Sequence, residues 1–119
     1  MKMIWHMVFL FAVAISAFAA DVSYLGVKPA VIIDVRTPEE FAAGHLDGAV
    51  NIPYEQIGKG INTIPSLTKS SPILIYCRSG RRSAIAAQSL EQLGFQRVYD
   101  GGAMSDVQRK LQSCAAKTC

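Results

Sequence analysis

Ile73-Leu74-Ile75-Tyr76-Cys77-Arg78-Ser79-Gly80-Arg81-Arg82-Ser83 decides how this chain folds and where its chemistry lies. Ile73 to Tyr76 is a short apolar run of the kind found in a strand covered on both faces. Cys77 to Ser83 is polar, and Arg82 to Leu93 then reads as an amphipathic helix, with Ile85, Leu90 and Leu93 on or near its apolar face and Gly94 as its stop. A strand that enters a helix through such a loop leaves backbone N–H groups at the helix N-terminus without intrahelical partners. Those groups, the helix dipole and three guanidiniums make an anion-binding nest around one thiol. A free cysteine has a pKa of about 8.5, and this setting lowers it, so Cys77 is read as a nucleophilic thiolate. A buried cysteine that merely packs a strand has no use for Gly80 and three arginines.

Outward from this loop the pattern alternates. Ala30 to Val35 is a second apolar run, and Thr37-Pro38-Glu39-Glu40 starts a helix: Thr37 caps, Pro38 suits the first helical position and Glu40 completes a capping box. Gly44 ends that helix, Ala49 to Ile52 is a short strand stopped by Pro53, and Tyr54 to Ile64 contains a helical turn weakened by Gly58 and Gly60. Ser70-Ser71-Pro72 is a turn, Gln96 to Tyr99 a further strand, and Ala103 to about Gln112 a last helix with Met104, Val107 and Leu111 at spacings of three and four. The order predicts an α/β fold with a mostly parallel sheet. A ligand then belongs outside the carboxyl end of a central strand, where the Cys77 loop lies.

The chain has 119 residues and a net charge of +3. Lys2 precedes an apolar stretch from Met7 to Ala17 that ends in Ala17-Phe18-Ala19, which reads as a secretory signal peptide over residues 1–19, cut after Ala19. Ile4 to Ala19, broken by His6, is shorter than the ~20 apolar residues that span a bilayer, although an uncleaved anchor is the alternative. Without the signal the charge is +2, and the basic residues gather at the Cys77 loop instead of forming a stripe, so a small anion is expected and nucleic acid is not. Residues 20–119 suffice for one domain with a short tail, with no linker, repeat or low-complexity tract. Of three cysteines, Cys77 is expected to stay free; Cys114 and Cys119 either bridge locally or do not, and one of them could act as a resolving thiol for Cys77. Neither His6 nor His45 has ligand spacing with a cysteine pair, so no metal or other cofactor is expected.

Four blocks resemble the rhodanese domain in order and spacing: Asp34-Val35-Arg36-Thr37-Pro38-Glu39-Glu40-Phe41, Gly44-His45-Leu46-Asp47-Gly48-Ala49-Val50-Asn51-Ile52-Pro53, the Cys77 loop, and Val98-Tyr99-Asp100-Gly101-Gly102. The resemblance runs from about Val31 to Asp106 and is nearest to the single-domain periplasmic rhodaneses of the phage shock protein E type. It implies a three-layer fold, with a mostly parallel central sheet flanked by helices, and a thiosulfate sulfurtransferase. Cys77 would attack the outer sulfur of thiosulfate, release sulfite and carry a persulfide to cyanide or a thiol. The signal segment places the protein in the periplasm, with no stable membrane association after cleavage; a monomer is favoured, though the sequence leaves the oligomeric state open. Backbone N–H groups from Arg78 to Ser83 would stabilise the thiolate and then the persulfide. Arg78 and Arg81 would meet the sulfonate end of the donor, Arg82 and Ser83 would either join them or hold the loop, and Gly80 would supply a backbone angle that other residues resist. Ser79 lies in the same cradle. Asp34 and Arg36 read as scaffold, His45 as a local hydrogen-bonding residue, and Glu39 and Glu40 as parts of a helix start. One departure is Val107, near the place where many relatives carry tryptophan.

Two other functions fit a reactive cysteine. Cysteine phosphatases and arsenate reductases also hold a thiolate in an oxyanion loop, but their arginine lies six positions after the cysteine; here that position is Ser83, and Arg82 is one earlier. A sulfur carrier or sensor that hands a persulfide to one partner protein would use the same residues as an enzyme. A disulfide oxidoreductase is disfavoured, because no cysteine lies two or three positions from Cys77.

Overall fold

The computed structural model describes residues 22–113. Its elements are β1 (Val22–Tyr24), β2 (Val31–Asp34), α1 (Pro38–Ala43), β3 (Val50–Asn51), α2 (Ile57–Gly60), β4 (Ile73–Cys77), α3 (Arg81–Gln92), β5 (Val98–Ala103), α4 (Met104–Lys110) and β6 (Leu111–Ser113), with 3-10 turns at Tyr54–Gln56 and Ile61–Thr63 on either side of α2. The main sheet has the order β3-β2-β4-β5 and every pairing in it is parallel. The expected α/β class and mostly parallel sheet are therefore observed, and β4, the strand that ends at Cys77, lies inside the sheet.

Both faces of β2 and β4 are covered, as their unbroken apolar runs require. Val31, Ile33, Val35, Ile73, Ile75 and Cys77 point to one side and pack with Ile57, Ile61, Ala86, Ala87 and Leu90. Ile32, Leu74 and Tyr76 point to the other and pack with Tyr24, Leu46 and Val107. Full burial of one Ile or Leu side chain stabilises by about 1.5–3 kcal/mol, so these two layers anchor β4 from both sides. No helix among the described residues is long and apolar enough to cross a membrane.

Three expectations are corrected. On α3, Leu90 is buried but Ile85 and Leu93 are 38% and 47% exposed. The face that meets the sheet is Ser83, Ala86, Ala87 and Leu90, a run at spacings of three, four and seven whose small side chains bring the helix close to β4. Ile85 is one residue, about 100° of helical rotation, off that stripe. Second, the last helix ends at Lys110, and Leu111–Ser113 is extended because it pairs antiparallel with β1, in a two-stranded sheet that the sequence pattern did not indicate. Third, β5 runs through Gly101 and Gly102 to Ala103, not only to Tyr99. Gly101 admits this: a Cβ there would stand 2.4 Å from Val107 Cγ2 and 3.0 Å from the Ile75 carbonyl oxygen. Val107 is fully buried and lies against that glycine. The signal segment and the Cys114 and Cys119 tail lie outside the described residues.

Candidate active site

Cys77 is the last residue of β4 and is fully buried. The chain turns over its sulfur through Arg78, Ser79 and Gly80, and α3 begins at Arg81. Gly80 has φ +102, a left-handed angle that glycine alone adopts without strain, so the expected role for this glycine is observed. That angle turns the Gly80 N–H onto Cys77 Sγ at 2.9 Å. Ser83, fully buried on the first turn of α3, places its Oγ 3.5 Å from the sulfur and donates to the Gly80 carbonyl at 3.0 Å. Burial pushes the Cys77 pKa up, but hydrogen bonds with the Ser83 side chain and with the backbones of Ser83, Gly80 and Ser79 together outweigh it. The thiol's pKa lies below its ordinary value, and the thiolate is held by local donors within an otherwise apolar layer.

The three arginines divide into two groups. Arg78 and Arg81 are exposed and form no ion pair among the described residues. Arg82 instead places Nη1 2.7 Å and Nη2 3.0 Å from the two carboxylate oxygens of Glu40. Glu40 is fixed by the start of α1. Thr37 Oγ1 accepts from the Glu40 N–H at 3.2 Å, and Glu40 Oε1 accepts from the Thr37 N–H at 3.3 Å, the capping box expected from the sequence. The hydrogen bond to Arg82, aided by those from Thr37 and only partly opposed by burial, lowers the Glu40 pKa to about 2. Of the seven loop residues singled out in the sequence, the fold gathers Cys77, Ser79, Gly80 and Ser83 on the sulfur and leaves Arg78 and Arg81 at the rim. Arg82 is turned to a neighbouring helix.

Residues 22–107 match the rhodanese-like domain family. The chain belongs to the rhodanese family. Among similar proteins, the thiosulfate sulfurtransferase PspE of Escherichia coli strain K12 is 36% identical over 76 residues, which is 63% of this chain and 71% of that one. Among solved structures, a rhodanese with anions from E. coli aligns at a TM-score of 0.61 with 31% identity over 70% of this chain and 96% of its own. A human single-domain sulfurtransferase, TSTD1, aligns at 0.56 with 27% identity over 67% of this chain and 81% of its own.

Behind the cysteine loop of this rhodanese lies a buried polar network. Arg36 Nε bonds both Asp34 oxygens at 3.0 and 3.1 Å, Nη2 reaches Asp34 Oδ2 at 2.7 Å, and the same Nη2 donates to the Gly44 carbonyl at 2.6 Å. Asn51 Nδ2 donates to the Asp34 and Arg36 carbonyls at 3.0 Å each, tying β3 to the end of β2. Tyr76, which precedes Cys77, accepts from the Leu46 N–H at 3.1 Å, and burial raises its pKa. Asp34 and Arg36 thus serve the scaffold, as expected. His45 is also local: Nδ1 lies 2.9 Å from the Phe41 carbonyl and the ring stacks on Phe41 at 3.7 Å. A separate open cleft, lined by Val22, His45, Leu46, Asp47, Gln108 and Leu111, includes no residue of the cysteine loop.

Sequence reasoning missed two contributors. Asn51 sits in the Asn-Ile-Pro stretch, where its side chain could have been recognised only by knowing that two strand-end carbonyls face it. Gly102 backs the loop: a Cβ on Gly80 would meet its Cα at 3.7 Å. Glu40 was read only as part of a helix start, because a partner 42 residues away leaves no local sequence signal.

Proposed function

We propose that this rhodanese takes the sulfane sulfur of thiosulfate onto Cys77 and passes it to cyanide or a thiol. The observation that carries this reading is a buried sulfur with a lowered pKa, bonded by the Gly80 N–H at 2.9 Å, in a loop with two exposed arginines that form no ion pair among the described residues. The Cys77 thiolate attacks the outer sulfur of thiosulfate, the bond from that sulfur to the sulfonate sulfur breaks, and sulfite leaves with the electron pair. A persulfide anion remains, and the N–H groups that held the thiolate hold its terminal sulfur. The acceptor then attacks the terminal sulfur, and Cys77 leaves as thiolate, so the cycle needs no external oxidant or general base. Arg78 and Arg81 draw the dianionic donor to the rim.

The withdrawal of Arg82 to Glu40 favours this reading over phosphoryl chemistry, since it removes a side chain that would cradle a tetrahedral oxyanion. Residues 1–19 act as a signal peptide that delivers residues 20–119, a single domain, to the periplasm as a monomer. Intact mass before and after thiosulfate is the test. The wild type should gain one sulfur atom, lose it to cyanide, and show neither change as Cys77→Ser. A folded, reduced wild type that gains no sulfur would refute the reading.

A further inference from the structure

We propose that Glu40 is a positioning residue for the cysteine loop: by holding both terminal nitrogens of Arg82 it keeps that guanidinium out of the anion site above the sulfur and so sets how strongly the loop attracts oxyanions. The proposal rests on the sulfurtransferase reading of the same site. Arg82 is five residues after Cys77 on the first turn of α3, and the charge of the Cys77 sulfur is among those that raise its pKa. Left free, it would add a third cation to a rim that already has Arg78 and Arg81.

Glu40 prevents this with a carboxylate that is itself immobilised. Oε1 receives Thr37 N–H at 3.3 Å, Thr37 Oγ1 at 3.2 Å and Arg82 Nη1 at 2.7 Å, while Oε2 receives Arg82 Nη2 at 3.0 Å. The bidentate fork fixes the guanidinium plane as well as its position. Arg82 and Glu40 side chains are 22% and 27% exposed, so water screens the pair only in part. The start of α1 is thereby tied to the start of α3, where the cysteine loop ends. The other charged groups on elements packed against the loop do not replace this contact. Asp34 at the end of β2 and Arg36 just beyond it neutralise each other, and Asp100 on β5 accepts from the Gly102 N–H at 3.1 Å.

Glu40→Gln isolates the charge, because glutamine also serves the third helical position of a capping box and leaves the start of α1 intact. With Arg82 released, the pH midpoint of Cys77 alkylation by iodoacetamide should fall by about half a unit, equivalent to about threefold more thiolate below the midpoint. Protection of Cys77 by inorganic phosphate should tighten by a similar factor. Adding Arg82→Gln should return both values to those of the wild type, and Arg82→Gln alone should raise the midpoint. A folded Glu40→Gln protein with unchanged midpoint and phosphate protection would overturn the proposal. So would a higher midpoint, which would mean that Glu40 only preserves the loop's N–H bonds. Alkylation needs no sulfur transfer, so this result is independent of whether the wild type accepts sulfur from thiosulfate.

Discussion

Gly80→Ala tests whether the loop's backbone makes Cys77 a thiolate. Gly80 has φ +102 and ψ −18, and a left-handed conformation costs an L-residue about 1–2 kcal/mol. Space is no obstacle, since the nearest atom to an added Cβ is Gly102 Cα at 3.7 Å. The strain is therefore relieved by rotation of the peptide, which carries the Gly80 N–H away from its position 2.9 Å from the sulfur. A hydrogen bond to a charged group contributes about 1.5–3 kcal/mol, and one pKa unit corresponds to about 1.4 kcal/mol, so its full loss raises the thiol pKa by about 1–2 units. Burial, the largest single influence on this thiol, then prevails. Thiolate at neutral pH should fall by about ten- to a hundredfold, read as the rate of iodoacetamide alkylation against pH. A second readout follows from linkage. The folded thiol's pKa lies below the unfolded value, so ionisation adds stability that is fully present above about pH 8.5 and is lost as pH falls through the folded pKa. The variant lacks that gain, and its deficit in melting temperature should widen as pH rises through this window. A Gly80→Ala protein that is less stable but alkylates with the wild-type midpoint would refute the reasoning.

The Glu40 carboxyl has a folded pKa of about 2 against an ordinary value of about 4.3, so its pairing adds stability above the ordinary value that is lost as pH falls from about 4.5 to 2. Discounted for solvent screening this amounts to about 1 kcal/mol, and acid titration of the melting temperature should show it in the wild type and not in Glu40→Gln. Asp34→Asn leaves the Arg36 guanidinium buried without its counter-ion and should destabilise by about 3–5 kcal/mol in urea unfolding; a loss below about 1 kcal/mol would mean that the network is not needed for folding. Gly101→Ala drives a methyl group into Val107 Cγ2 and the Ile75 carbonyl oxygen and should cost about 1–3 kcal/mol. Because only the side-chain overlap is relieved by Val107→Ala, the double variant should recover part of the Gly101→Ala loss and no more.

The parts of the fold that could be read from sequence are those with short-range causes. The apolar runs at β2 and β4, the Thr37 capping box and the left-handed glycine at Gly80 are each dictated by residues within four positions of one another, and all are present. What escaped depends on distant partners. β1 and β6 are three residues each, too short to show alternation, and they exist because Val22 to Tyr24 and Leu111 to Ser113 find each other across the chain. On α3 the sequence points to the large apolar residues as the contact surface, whereas close packing on a sheet selects Ala86 and Ala87. The site divides in the same way: the Cys77 loop is contiguous and legible, whereas the bonds from Glu40 to Arg82 and from Asn51 to the end of β2 bridge 42 and up to 17 positions.

The sulfur's place in the core explains why this site separates its two tasks. Cys77 belongs to the apolar layer of Ile33, Ile75 and Ala86, and β4 is paired on both sides, so its sulfur cannot shift without disturbing the sheet. Desolvation there opposes ionisation, and only the bonds converging from Ser79, Gly80 and Ser83 reverse it. In the proposed reaction, anion attraction falls instead to Arg78 and Arg81, which are exposed at the loop. A fixed sulfur within a local ring of donors suits the proposed step, in which one atom is accepted and surrendered at the same point, while an exposed charged rim leaves room for acceptors of different size. On that division, changes at the rim alter how tightly the donor binds, whereas changes in the ring alter how fast sulfur moves.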